Sequence, residues 1–130
     1  IIADQLDNSA NIKVSDSFSI PKNWQGLDCG PKSSSVFNDI IQDCKTILWN
    51  GPLGVFELSK FSEGTKALGR SVVNATSNGA FSLVGGGDSV AAVKMFNFDS
   101  GVSYVSTGGG AMLESLEGKS LPGIRAINMR

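Results

Sequence analysis

The sequence predicts an α/β fold, part of a doubly wound parallel sheet flanked by helices in three α/β/α layers. Three observations predict it. Short apolar runs of strand length alternate with longer runs of helical period, the signature of βαβ units. Two triple-glycine clusters, in FSLVGGGDSVAAV (Phe81–Val93) and YVSTGGGAML (Tyr104–Leu113), each stand between such a strand and such a helix. Turn-forming dipeptides such as Asn78-Gly79 separate the remaining elements.

Taken in order, Ile1–Ala3 reads as a strand, and Ser19–Lys32, rich in Pro and Gly, as a loop. Ser34–Cys44 reads as a helix. Val36, Phe37, Ile40, Ile41 and Cys44 share one face of it, behind a run of serines suited to capping. Thr46–Trp49 is a short buried strand, broken at its carboxyl end by Asn50-Gly51-Pro52. Lys60–Thr76 is a helix with Phe61, Leu68, Val72 and Ala75 on one face, ended by Asn78-Gly79. Phe81–Val84 and Val102–Val105 are strands, followed by helices at Asp88–Phe96 and Gly109–Glu117. Asp99-Ser100-Gly101 is a turn, and Gly118 closes the last helix. Three strand–helix units make half of a doubly wound sheet. Together with the opening strand they point to part of a larger domain, with a sheet edge left for the rest.

Composition narrows the chemistry. With 130 residues, 41% hydrophobic, the chain can build one core. The net charge of −1, with no cluster of Lys and Arg, argues against a nucleic-acid or anionic-membrane partner. No apolar run is long enough to span a bilayer. The stretch IIADQLDN carries neither a basic leader nor an apolar core, so a secretory signal is not expected. The two cysteines, Cys29 and Cys44, then read as free thiols in a reducing, cytoplasmic compartment. The chain has no histidine, which removes His-based triads, His general bases and His-ligated zinc.

The glycines carry the remaining chemistry. In a parallel sheet, ligands bind beyond the carboxyl ends of the strands, where both clusters lie. A helix start offers unpaired N–H groups and a partial positive charge, and glycine lets backbone approach an oxygen without a Cβ between. Gly85–Gly87 and Gly108–Gly110 can therefore each line N–H groups along a phosphate; the alternative is two tight β-to-α turns. Neither cluster fits the dinucleotide fingerprint. Gly118-Lys119-Ser120 imitates the tail of a Walker loop, but it ends a helix rather than opening one. Asp88 distinguishes the clusters. A carboxylate repels phosphate unless a cation lies between, and Mg²⁺ is held by one or two carboxylates plus phosphate oxygens. Asp88 is thus a candidate magnesium ligand, or the cap of the following helix. The second cluster, without an acid, suits a phosphoryl group in transit. Asn50 points into the same crevice, and Glu57 could accept hydrogen bonds from ribose hydroxyls; otherwise the segment is a turn with an exposed acid. Asp28 and Cys29 read as loop-structural.

NWQGLDCGP, WNGPLGVFE, VGGGDS and VSTGGGAMLESLEGKSLPG occur in this order. On these motifs the chain resembles the carboxyl-terminal part of phosphoglycerate kinases, most firmly from Ile20 to Ile127. The resemblance implies a hinged, two-domain monomer with a Rossmann-like sheet in each half. It makes residues 1–130 part of the carboxyl-terminal, nucleotide-binding domain. The implied reaction moves a phosphoryl group between 1,3-bisphosphoglycerate and Mg-ADP, giving 3-phosphoglycerate and ATP. Carried over by motif, Gly26, Leu27 and Leu53 would line the adenine pocket. Asn50, Gly51 and Pro52 would lie along the nucleotide, and Glu57 would hold the ribose. Gly86, Gly87, Asp88 and Ser89 would form the phosphate–magnesium site, with Asp88 on the metal. Gly108, Gly109 and Gly110 would meet the group in transit. A side chain at Gly109 is accordingly expected to slow turnover and leave nucleotide affinity alone. Ser89 stands where many relatives carry Thr, which keeps the hydroxyl. Ser59 and Lys60 depart from the usual pair after Glu57. The amino-terminal domain that binds the phosphoglycerate, with its basic patch and arginine, has no counterpart in the chain. Neither do the glycine-rich strand and lysines of the first half of this domain. The chain alone is therefore expected to be inactive. The alternative is a non-catalytic phosphate- or nucleotide-binding module.

Overall fold

The computed structural model describes residues 1–129. Its centre is a parallel sheet of three strands, β4 (Thr46–Asn50), β5 (Phe81–Gly85) and β6 (Tyr104–Val105), side by side in that order. Thr46 pairs with Phe81 and Asn50 with Gly85, so β4 and β5 end level. β6 joins β5 through Leu83–Tyr104 and Val84–Val105.

The alternation along the strands decides which face is covered. Trp49 and Val84 point to one side and are buried with Val72 of α2 (Glu63–Ser77) and Val93 of α3 (Gly87–Met95). Ile41 of α1 (Pro31–Gln42) and Leu68 pack against that cluster. Burial of such side chains contributes about 1.5–3 kcal/mol each. Both crossover helices thus lie on the same face, as right-handed connections between neighbouring parallel strands require. The other face carries Leu48, Leu83 and Tyr104 in register. There α4 (Gly109–Leu116) approaches β5, and a Cβ on Gly85 would overlap the Met112 methyl group. Buried Ser82 is satisfied inside the sheet: it exchanges hydrogen bonds with Ser103 at 3.0 and 3.1 Å and meets Thr76 Oγ1 at 2.7 Å.

Several local expectations are corrected. Ile1–Ala3 is extended as expected, but its strand β1 (Ile2–Ala3) does not join the parallel sheet. It is the middle of a separate antiparallel sheet, between β2 (Ile12–Lys13) and β3 (Gln25–Gly26). Ala3, Ala10, Leu27 and Phe61 form a second buried cluster there. The loop expected over Ser19–Lys32 contains β3 and the start of α1. The serines lie inside α1 rather than ahead of it: Gly30 holds the cap position and Pro31, with no N–H to lose, begins the helix. α2 starts at Glu63, because Ser59–Phe61 form a separate 3₁₀ turn. Asp99–Gly101, expected as a turn, is a second 3₁₀ turn. α5 (Pro122–Asn128) was not expected; its Pro122 opens it as Pro31 opens α1. Among the described residues no helix is long and apolar enough to cross a membrane.

Candidate functional site

The carboxyl ends of β4, β5 and β6 carry Asn50-Gly51, the first glycine cluster and the second glycine cluster, respectively. Gly86 caps α3 with φ +88°, a left-handed conformation open to glycine. A Cβ there would also stand 2.5 Å from Asn50 Oδ1, so the Asn50 side chain lies directly against the first cluster. Gly108 holds the cap position of α4. The starts of α3 and α4 therefore converge, each with the unpaired first-turn N–H groups of any helix. Gly86, Gly87, Val90, Ser106, Thr107 and Gly109 enclose a cavity of about 210 Å³ between them.

The two clusters are in contact. A Cβ on Gly109 would overlap the Gly86 amide nitrogen, whereas Gly87, Gly108 and Gly110 have open space around the same point. A substitution at Gly109 consequently disturbs both clusters, and the separation of turnover from affinity expected for that position does not follow from this geometry. Gly108 and Gly110 are the independent positions.

Asp88 is exposed in the first turn of α3, but Gly86 occupies the cap position, so the capping alternative is overturned. A carboxylate there interacts favourably with the helix start and faces solvent. Among the described residues no group of three or more Asp, Glu, Cys or His is gathered to hold a metal. A single carboxylate at a helix start still fits Mg²⁺, which takes most of its ligands from phosphate and water. Ser89 is fully buried, unlike its neighbours, and its hydroxyl accepts the Gly51 N–H. Its acceptor side faces the β4 turn.

That turn is held at both peptide groups. Gly51 has φ +100°, and the Trp49 indole donates to its carbonyl at 2.8 Å. Leu53 N–H donates to buried Thr65 Oγ1 at 3.1 Å, and Val55 N–H to the Leu27 carbonyl at 3.0 Å. Gly26, Leu27, Pro52 and Leu53 are thereby brought together. With Asp28, Cys29, Gly54 and Val55 they line a depression of about 570 Å³. Glu57 is exposed on the turn that follows, in which Leu58 N–H bonds the Val55 carbonyl. A cavity of about 630 Å³ between α1 and α2 contains none of the residues proposed from sequence.

Sequence reasoning passed over Trp49, Thr65, Met112 and the role of Asp28. The Asp28 carboxylate accepts N–H groups from Gly64 at 2.8 Å and Cys29 at 2.7 Å. Burial pushes its carboxyl above the ordinary range, and Glu63 adds to the rise. The two N–H bonds and the Ile1 amino group oppose it. The acid inside GLDCGP was a signal, but its partner Gly64 lies 36 residues further on. Cys29 and Cys44 are both free thiols.

The match to known proteins covers nearly the whole chain. The family model described as phosphoglycerate kinase matches residues 1–119. A phosphoglycerate kinase of Porphyromonas gingivalis is 59% identical over 126 residues, which are 97% of this chain and 30% of that protein. One of Dictyostelium discoideum is 54% identical over 129 residues, 98% of this chain and 31% of that protein. The solved phosphoglycerate kinase of Coxiella burnetii superposes with a TM-score of 0.88 at 45% identity, over 95% of this chain and 31% of that one. The chain thus spans about a third of the length of these relatives, and the Rossmann-like fold is common to them. With a family model and relatives of this identity agreeing over nearly all its residues, the chain belongs to the phosphoglycerate kinase family.

Proposed function

We propose that this chain supplies the nucleotide half of a site for phosphoryl transfer between 1,3-bisphosphoglycerate and Mg-ADP. The acyl-phosphate P–O bond breaks, a bond forms from that phosphorus to a β-phosphate oxygen of ADP, and 3-phosphoglycerate leaves as its carboxylate. The observation that carries the reading is the convergence of two glycine turns, packed against each other at the ends of adjacent parallel strands beside the Leu27–Leu53 depression. The base would lie in that depression, against Gly26, Leu27 and Leu53, with Asn50, Gly51 and Pro52 along the nucleotide and Glu57 at the ribose.

The first-turn N–H groups at Gly87, Asp88 and Ser89 would hold the nucleotide phosphates. Those of the second cluster, Gly108–Gly110, would meet the transferring group. Such transfer passes through a loose, metaphosphate-like state, so positioning and fixed N–H dipoles do most of the work, and histidine is not needed. Mg²⁺, held by Asp88 and phosphate oxygens, would neutralise charge on the nucleotide. The other substrate, its basic patch and the domain closure would come from the rest of a two-domain, monomeric, cytoplasmic glycolytic enzyme. The free thiols Cys29 and Cys44 agree with that compartment. The 130 residues alone should not turn over, since effective concentration and charge stabilisation are both lost.

The test is a pair of calorimetric titrations on a full-length protein carrying this segment. Asp88→Asn should weaken ADP binding roughly tenfold or more with Mg²⁺ present and change it little in its absence. Equal losses in both, or none, would reject Asp88 as the magnesium ligand. ADP formation or consumption by the 130-residue chain alone, in a coupled assay, would reject the division of labour.

A further inference from the structure

Asp28 lies at the meeting of three segments and has no part in the reaction as described. Its Oδ2 accepts the Gly64 N–H in the first turn of α2, and its Oδ1 accepts the Cys29 N–H. Ser62, at the cap position of α2, makes no capping bond; its hydroxyl donates to the Ser59 carbonyl instead. The helix start is therefore satisfied from a distant loop. The fit is close on two sides, because a Cβ on either Gly54 or Gly64 would overlap Asp28 Oδ1. Gly64 is followed by Thr65, fully buried, whose Oγ1 accepts the Leu53 N–H. One turn of helix thus fastens Gly26–Asp28 through Asp28 and Leu53–Gly54 through Thr65. Both segments line the 570 Å³ depression. The Val55-to-Leu27 backbone bond ties them a third time.

We infer that Asp28 is a positioning residue for the nucleotide base: with Thr65 it fixes the Gly26–Leu27 and Leu53–Gly54 segments that line the depression relative to each other. The inference rests on reading that depression as the base site. A surface that packs on a flat ring gains affinity from dispersion, and that gain falls off within a fraction of an ångström when the lining segments shift. A half-buried carboxylate with two N–H partners and glycine on either side is a costly arrangement for a loop with no such constraint.

The experiment compares Mg-ADP with Mg-tripolyphosphate, which carries the phosphates and no base, on the full-length protein. The variants are Asp28→Ala, Asp28→Asn and Thr65→Val. Asp28→Ala should weaken ADP binding about tenfold, the scale of one lost charge-assisted bond. Tripolyphosphate binding should change less than about twofold, and Asp28→Asn, which still accepts one N–H, should recover part of the loss. KM for ADP should rise more than kcat falls. Equal losses for the two ligands would make Asp28 a general fold element, and an unchanged ADP affinity would remove the role altogether; either overturns the inference. Unaltered protein that binds tripolyphosphate as tightly as ADP would instead overturn the base-site reading beneath it. If Asp28→Ala does not fold by circular dichroism, Thr65→Val carries the same comparison. It keeps the shape and removes only the acceptor for Leu53, and the same split between ADP and tripolyphosphate decides.

Discussion

Gly86 holds two constraints at one residue: a left-handed backbone and the Asn50 side chain against its Cα. Gly86→Ala should therefore cost about 1–3 kcal/mol of stability, measured by chemical denaturation; a neutral result would mean that the turn relaxes freely. In a full-length protein carrying this segment, Gly109→Ala should lower both turnover and Mg-ADP affinity, since its methyl group meets the Gly86 backbone. Gly110→Ala has open space and should leave Mg-ADP affinity intact, so a loss of affinity there as large as at Gly109 would contradict the geometry. At Asp28 the sign of the pH effect follows from burial. A carboxyl raised above the usual 3.8 keeps its proton to higher pH in the folded chain than in the unfolded one. Its contribution to stability is then greatest at or below that value and declines as pH rises through the raised one. Asp28→Asn removes this slope. The unfolding free energy of native protein relative to the variant should fall as pH rises from 3.8 upward, and a flat difference would show that the carboxylate is effectively solvated.

Among the elements, α2 does most to connect the two halves of the site. Its inner face, with Val72 and Leu68, packs on the sheet, and its first turn holds the two segments that line the Leu27–Leu53 depression. Thr65→Val deletes a buried acceptor without changing shape and should cost about 1–3 kcal/mol, the penalty of an unpartnered Leu53 N–H. Hydrogen exchange at Leu53 should speed up with it; unchanged exchange would show that another acceptor takes over. By contrast, the surface pair Glu63–Lys66 at 2.8 Å sits on the same helix turn with the Glu63 side chain 66% exposed. Its loss should matter by well under about 1 kcal/mol. The strands missed from sequence, β2 and β3, are two residues long, too short for any period, and they exist because Ile2–Ala3, read as a strand from sequence, takes a partner on each side. The expectation of capping serines failed at α1 because Gly30-Pro31 starts the helix first.

Across the whole molecule, two apolar surfaces stand out. Leu48, Phe81 and Tyr104 are 46%, 51% and 59% exposed on one face of the parallel sheet, whose outer strand β4 has one open edge. Val36, Phe37 and Ile40 are exposed on α1. Patches of this kind, beside an open strand edge, favour association. Light scattering on the 130-residue chain should show an apparent mass that rises with concentration, and Leu48→Lys with Phe81→Lys should reduce the rise. A concentration-independent monomer would show these faces to be tolerated in water.

Helical and strand periods, and the glycines between them, are local properties, and they were enough to place β4, β5, β6, α2, α3 and α4 to within a few residues. They were also enough to put two glycine turns at the same end of one sheet, because parallel pairing leaves no other end for them. The motif residues carried membership of the family, since several long motifs in series are specific where one glycine triplet is not. Which residues touch was a different matter. Gly109 against Gly86, Asp28 on Gly64, Ser89 on Gly51 and Met112 over Gly85 join positions tens of residues apart. Nothing in local period encodes such contacts; they arise when packed helices bring distant loops within hydrogen-bond range, and there the spacing of the site is set.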